Sequence, residues 1–86
     1  MKLIFQNSQG KERVIANVNS LAEADNEMNK FMEERNFKSP YKRLWEHDGR
    51  VIVDVGSHYE YFIMDPCTFA WCCSQYEDIA EDEQGE

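Results

Sequence analysis

The longest apolar run in the chain covers residues 50–64 and is broken only at Gly56-Ser57. Its β-branched and aromatic side chains are typical of strands that lie in the middle of a core. The pattern predicts one strand over 50–55 and another over 58–64, joined by a tight hairpin at Gly56-Ser57. Because side chains alternate along a strand, three valines should share one face of the first strand: Val51, Val53 and Val55.

Shorter apolar patterns predict three further strands. Residues 2–8 and 12–18 alternate weakly around a turn signal, which favours an N-terminal hairpin. Another strand should begin near Tyr41, and the Asp48-Gly49 pair should turn it into the strand at 50–55, because a type I′ turn needs positive φ at both positions. The candidate inward side chains of the N-terminal hairpin are Leu3, Phe5, Val14, Ala16 and Val18.

Helical spacing appears twice. Residues 21–35 carry an apolar stripe, preceded by a capping box in which the Ser20 hydroxyl meets the Glu23 amide and the Glu23 carboxylate reaches back to the Ser20 amide. Asn36 can end this helix. A short C-terminal helix is predicted over 66–78, with Asp65 as its cap and Pro66 at its first position. Its stripe comprises Phe69, Cys72, Cys73, Tyr76, Ile79 and Ala80.

These elements predict an α+β fold. The expected order is ββαβββ, with an antiparallel sheet of about five strands packed on the 21–35 helix and a short C-terminal helix. A chain of 86 residues forms one domain, which we assign to 1–80, with 81–86 as an acidic disordered tail. Open sheet edges in so small a domain favour a homodimer.

Charge is concentrated at the C-terminus. The chain has a net charge of −8, and residues 77–86 contribute −6 of it, so residues 1–76 carry only −2. An acidic tail can aid solubility or touch a basic partner. No apolar run reaches the roughly 20 residues of a membrane span, and the N-terminus does not resemble a secretion signal, so a cytoplasmic protein without membrane contact is expected.

Bases alternate with aromatic residues between positions 35 and 50. Tyr, Trp and Arg are the residue types that anchor protein interfaces, so this patch predicts a contact surface for a protein partner. The alternative is a regulator that contacts nucleic acid. Its basic side chains would bind phosphates, and its aromatic rings would stack on the nucleobases. The candidate binding residues are Lys38, Tyr41, Lys42, Arg43, Trp45 and Arg50.

Catalytic and metal sites are weakly indicated. Asp54, Ser57 and His58 have the residue types of a nucleophilic triad, but neighbours along one hairpin seldom reach the required geometry, and Asp54 can instead pair with His58 across the turn. Cys67, Cys72 and Cys73 lack the paired spacing of zinc ligands and suit a helix stripe. We therefore expect a non-enzymatic protein without cofactor or metal. A small hydrolase or metalloprotein using His58 with Asp54 or the cysteines is the second alternative.

Two stretches carry a resemblance to known proteins. Residues 36–45, Asn-Phe-Lys-Ser-Pro-Tyr-Lys-Arg-Leu-Trp, and residues 54–63, Asp-Val-Gly-Ser-His-Tyr-Glu-Tyr-Phe-Ile, resemble segments of short uncharacterised proteins of bacteriophages and prophages of Gram-positive bacteria. The resemblance covers about the middle third of the chain. It implies a phage accessory protein that acts in a host cytoplasm, and it implies no catalytic residue.

Overall fold

A computed structural model describes residues 1–74 of the chain. It contains one five-stranded antiparallel sheet and a helix that follows the second strand, which confirms the predicted α+β fold. The strands lie in the order β2-β1-β5-β4-β3. The elements are β1 (Lys2–Gln6), β2 (Glu12–Asn17), α1 (Leu21–Glu34), β3 (Arg43–His47), β4 (Arg50–Asp54) and β5 (Tyr61–Asp65), followed by a short helix α2 described over residues 69–74.

Strand β5 lies at the centre of the sheet, between β1 and β4. Phe62 and Met64 point toward α1, while Ile63 points to the opposite face, and all three side chains are buried. The valines of β4 behave as predicted, since Val51, Val53 and Val55 are all buried with α1 in one core. The 50–64 stretch is therefore the middle of the molecule.

Helix α1 covers one face of the sheet with its apolar stripe, buried at Leu21, Ala24, Met28 and Met32. Ser20 caps it by accepting from the Glu23 amide at 3.1 Å. The Glu23 carboxylate reaches the Asn19 amide at 2.6 Å instead of the predicted Ser20 amide. The helix ends as expected at Asn36, whose φ of 57° allows the Phe37 amide to return to the Met32 carbonyl.

A β-bulge in the N-terminal hairpin corrects one predicted core residue. Strand β2 carries an extra residue opposite Leu3 and Ile4, so the register shifts there. Val14 consequently pairs with Ile4 on the face away from α1 and is 49% exposed, whereas Ala16 pairs with Leu3 on the α1 face. The prediction that Val14 points inward was wrong because strict alternation does not survive a bulge.

The connection between β4 and β5 is longer than the predicted tight turn. Residues 55–60 form it, and β5 begins at Tyr61 instead of His58. The Asp54 carboxylate accepts from the Gly56 amide at 3.0 Å, which shapes the start of the loop. Gly56 has φ of 85° and lies against Pro40, where an added Cβ would come within 2.7 Å of Pro40 Cγ. Packing against the loop that precedes β3 therefore sets this turn.

The C-terminal helix also starts later than predicted. Pro66 lies in a bend, and helical structure begins at residue 69, where the Thr68 hydroxyl accepts from the Trp71 amide at 3.1 Å. Thr68 thus takes the capping role predicted for Asp65, whose carboxylate pairs with Arg50. Residues 75–86, including the predicted acidic tail, lie outside the described residues. Within residues 1–74, no helix is both long enough and apolar enough to cross a membrane.

Truncating Val53 should destabilise the fold far more than truncating Val14. Val53 has no exposed surface, so Val53→Ala should lower the free energy of unfolding by about 2–3 kcal/mol through lost burial and a cavity. Val14→Ala makes the same chemical change on a half-exposed edge strand and should cost less than about 1 kcal/mol. Urea unfolding of both variants measures the difference. Equal losses would contradict the assignment of Val14 to the outer face.

Candidate functional site

A cleft of about 890 Å³ separates α1 from strands β3 and β4. Its floor is apolar, with Met28 and Met32 from α1 and Leu44 and Val53 from the sheet. Phe69, Cys72 and Cys73 from α2, together with residues 36–39, also line it. A cavity of this size and lining is in the range that binds ligands or several side chains of a partner.

Two aromatic residues stand at the cleft with much of their surface exposed. Tyr41 is 46% exposed and comes from the loop before β3, and Phe69 is 44% exposed at the start of α2. The Phe69 amide donates to the Glu46 carboxylate at 2.7 Å, which ties the start of α2 to β3. Large exposed aromatics beside an apolar cleft are typical anchors of a contact surface.

Polar side chains form the rim of the cleft. Lys42 reaches across to α1, where its ammonium group contacts the Asp25 carboxylate and donates to Asn29 Oδ1 at 2.8 Å. Lys38 and Glu33 are exposed and also line the cleft. The Lys42 bridge links the loop before β3 to α1 and holds the two walls at a defined separation.

The sheet face away from α1 carries an apolar row across all five strands. Direct cross-strand pairing connects Trp45, Ile52, Ile63, Ile4 and Val14 in that order. Ile63 and Ile4 are only 2% and 5% exposed, although no helix of the described chain covers this face. Trp45, by contrast, is 40% exposed at the β3 edge and meets Tyr61 edge to face, with ring centroids 6.1 Å apart.

Arg50 is the centre of an ion-pair cluster on the same face as the two isoleucines. Its Nε donates to Asp65 of β5 at 3.1 Å, and its two terminal nitrogens donate to the Glu12 carboxylate of β2 at 2.9 and 3.0 Å. The Arg50 and Glu12 side chains therefore meet between β4 and β2, two strands that are separated in the sheet by β5 and β1. The bidentate pairing of a guanidinium with a carboxylate is among the stronger kinds of hydrogen-bonded ion pair.

Pairing with arginine lowers the pKa of a carboxylate and raises that of the guanidinium, and the groups of this cluster follow that pattern. The hydrogen bonds from Arg50 lower the pKa of Glu12, and those to Glu12 and then Asp65 raise the pKa of Arg50. At the other end of the face, Arg43 donates to Asp54 at 2.9 Å and stacks over Tyr41 at 5.3 Å. The pKa of Asp54 is lowered mainly by the Gly56 amide and secondly by Arg43.

The six predicted binding residues therefore fall on two sides of β3. Lys38, Tyr41 and Lys42 line the cleft. Arg43, Trp45 and Arg50 lie on the face away from α1. Three of the four bases in the set, Lys42, Arg43 and Arg50, are paired with carboxylates.

The structure does not assemble Asp54, Ser57 and His58. Asp54 is engaged by Arg43 and the Gly56 amide, and the Ser57 hydroxyl donates to Glu60. The His58 ring meets the Tyr59 ring edge to face, with centroids 4.4 Å apart, and within residues 1–74 no hydrogen bond joins it to Asp54. The predicted Asp54–His58 pairing was wrong because Arg43, directly opposite Asp54 on β3, takes that carboxylate.

Two of the cysteines are core residues. Cys67 and Cys72 are buried, with their sulfur atoms 3.6 Å apart, whereas Cys73 is exposed. Burial raises the pKa of Cys67, and it raises that of Cys72 to about 12. Residues 1–74 contain no group of three or more His, Cys, Asp and Glu side chains placed to hold a metal ion.

Sequence reasoning missed the cleft and the Arg50 cluster. The apolar stripe predicted for residues 21–35 includes Met28 and Met32, and the helical pattern gave no sign that they also line a cleft. The ion pair between Arg50 and Glu12 joins residues 38 positions apart, on strands that are not neighbours. Three of the predicted binding residues, Lys38, Tyr41 and Lys42, do line the cleft, but the pattern did not show that a cleft exists there.

Comparison of the chain with protein-family models, curated proteins and solved structures found no match.

Removing Arg50 should change how stability depends on pH. Because the pKa of Glu12 is lowered in the folded protein, this pair stabilises the fold above the unfolded value of 4.5, and that contribution is lost as the pH falls through the folded value. Arg50→Gln should therefore flatten the fall in the free energy of unfolding between about pH 5 and pH 3, measured by urea titration at each pH.

Arg43→Gln is the matched control for Arg50→Gln. It removes one arginine–carboxylate pair from the same face, but Asp54 keeps the Gly56 hydrogen bond that chiefly lowers its pKa. The pH dependence should consequently change less than in Arg50→Gln. An unchanged profile in Arg50→Gln would contradict the role assigned to the Arg50–Glu12 pair.

Proposed function

We propose that this chain is a non-enzymatic accessory protein that binds a protein partner through the cleft between α1 and β3. The observation that supports this most directly is the apolar cleft of about 890 Å³ with the exposed rings of Tyr41 and Phe69 beside it. The resemblance of residues 36–45 and 54–63 to short phage proteins favours a phage protein whose partner is a host or phage protein.

The chemistry of the cleft suits a peptide segment. Its lining includes Leu44, Tyr41 and Phe69, whose apolar surfaces are partly exposed and can contact apolar side chains. Its rim offers both signs of charge, with Lys38 and Lys42 opposite Asp25 and Glu33. An apolar centre with a polar rim is the usual arrangement of a protein interface. The six acids of residues 77–86 follow α2 in the sequence and provide a further contact for a basic partner.

Ion pairing favours a protein over a nucleic acid. Binding to phosphates requires bases whose charges are free to displace counterions. Three of the basic residues are instead paired within the domain. Lys42 pairs with Asp25, and Arg43 pairs with Asp54. Arg50 pairs with both Glu12 and Asp65. Much of the positive charge of this patch is thus already neutralised within the domain.

Capture from a bacterial host lysate tests this proposal. The full chain should retain a defined protein that is lost when both cleft aromatics are removed in the Tyr41→Ala, Phe69→Ala double variant. These rings are about half exposed, so their loss should leave the fold intact, which circular dichroism verifies. At least a tenfold loss of affinity is expected, because truncated anchor residues typically cost 2 kcal/mol or more.

Tyr59→Ala is the control for this experiment. Tyr59 is another exposed aromatic, but it lies in the loop between β4 and β5 and does not line the cleft. The captured protein should remain bound to this variant at wild-type affinity. Equal retention by the cleft variant, or loss in Tyr59→Ala alone, would show that the cleft is not the contact surface.

A further inference from the structure

The turn between β3 and β4 determines which backbone groups of β3 are free. Asp48 and Gly49 have φ values of 52° and 74°, as a type I′ turn requires. In such a hairpin the flanking residues, His47 and Arg50, form a hydrogen-bonded pair. Such pairs alternate along an antiparallel ladder. The next hydrogen-bonded pairs are Trp45 with Ile52 and Arg43 with Asp54.

Leu44 and Glu46 therefore direct their amide and carbonyl groups away from β4. Strand β3 is the last strand of the sheet on this side, so these groups lie on an open edge. Within residues 1–74, no further backbone hydrogen bond reaches them. Each chain thus presents two N–H and two C=O groups in the geometry that another strand would complete.

The two edges of the sheet differ in how they are protected. Strand β2 forms the other edge and is interrupted by the bulge near Leu3 and Ile4, which is a common means of blocking strand addition. Strand β3 pairs with β4 over five consecutive residues without a shift in register and contains neither glycine nor proline. Although Arg43, Glu46 and His47 add polar groups to this edge, its backbone is regular and can accept a strand.

We propose that β3 is a self-association interface, through which two copies of this chain pair antiparallel to form one continuous ten-stranded sheet. Several registers would bring the outward amide and carbonyl groups of the two β3 strands together. In the register centred on Trp45, all five residues of each β3 strand are paired. Arg43 of one copy then lies opposite His47 of the other. If one copy is moved along the other to the next such register in either direction, only three residues of each β3 strand remain paired. In one of these two registers, Glu46 of one copy lies opposite Glu46 of the other. The centred register places Leu44 opposite Glu46 of the second copy and uses every outward group.

The same register pairs the exposed tryptophans. Trp45 of one copy lies directly opposite Trp45 of the other at a non-hydrogen-bonded site, where cross-strand side chains approach most closely. This contact would bury a ring that is 40% exposed in the single chain.

Pairing through β3 also bears on the cleft. The symmetry axis of such a dimer runs perpendicular to the sheet, so both α1 helices lie on one face and the two clefts flank the new seam. A partner protein could then occupy both clefts together. This consequence rests on the proposed function, whereas the dimer itself does not depend on it.

Measuring the mass of the full chain by sedimentation equilibrium tests the proposal, with salt present to screen the net charge of −8. The wild type should have twice the mass of one chain. Trp45→Lys should be monomeric, because it replaces the central aromatic pair with two opposed cations. Val14→Lys is the matched control on the same face of the other edge strand, and it should remain dimeric. A monomeric wild type, or a dimeric Trp45→Lys, would overturn the proposal.

Hydrogen exchange of the wild type provides a test that requires no variant. The Leu44 and Glu46 amides should exchange more slowly as the protein concentration rises, while the exposed amides of β2 should not change. Exchange at Leu44 and Glu46 that is independent of concentration would overturn the proposal. The Tyr41→Ala, Phe69→Ala variant should remain dimeric, so failure of cleft binding and failure of self-association are separate results.

Discussion

The need to bury both faces of β5 governs this fold. Phe62 and Met64 point one way and Ile63 points the other, and none of them is exposed. A single helix can cover only one face of a sheet, and α1 covers the side of Phe62 and Met64. The other side carries an ion-pair cluster, in which Arg50 of β4 is bonded to Asp65 of β5 and to Glu12 of β2. A small domain thereby obtains a two-sided core with one long helix.

These internal ion pairs determine which surface groups remain available to a binding partner. Arg50 and Arg43 satisfy carboxylates of their own domain, and Lys42 ties the loop before β3 to α1. Their charge is therefore part of the structure. Within residues 1–74, the cleft beside α1, with its exposed aromatics, and the edge of β3 are the features without a complete set of partners. Both adjoin the 35–50 segment, which the alternation of basic and aromatic residues predicts to be a contact surface.

Sequence patterns predicted the elements of the fold well, and the exceptions have local causes. Periodicity placed α1 and the buried valines of β4 because burial on one face imposes it directly. Val14 was misplaced by a bulge, and the β4–β5 turn was predicted too short because Gly56 packs on Pro40. The Arg50–Glu12 pair and the cleft depend on contacts between distant segments, and no local pattern encodes them. Six candidate binding residues could be named, but not their division between the two sides of β3.

The order of strands in the sheet differs from their order of synthesis on the ribosome. β5 is the last strand of the sheet to be made and yet lies at its centre, with Gln6 paired to Tyr61, 55 positions later (61 − 6). Before β5 emerges, β1–β2 and β3–β4 are two separate hairpins, and isolated hairpins are marginally stable in water. Closing so long a loop must precede most of the stabilising contacts. The nascent chain therefore lacks the central strand of its sheet until β5 has left the ribosome.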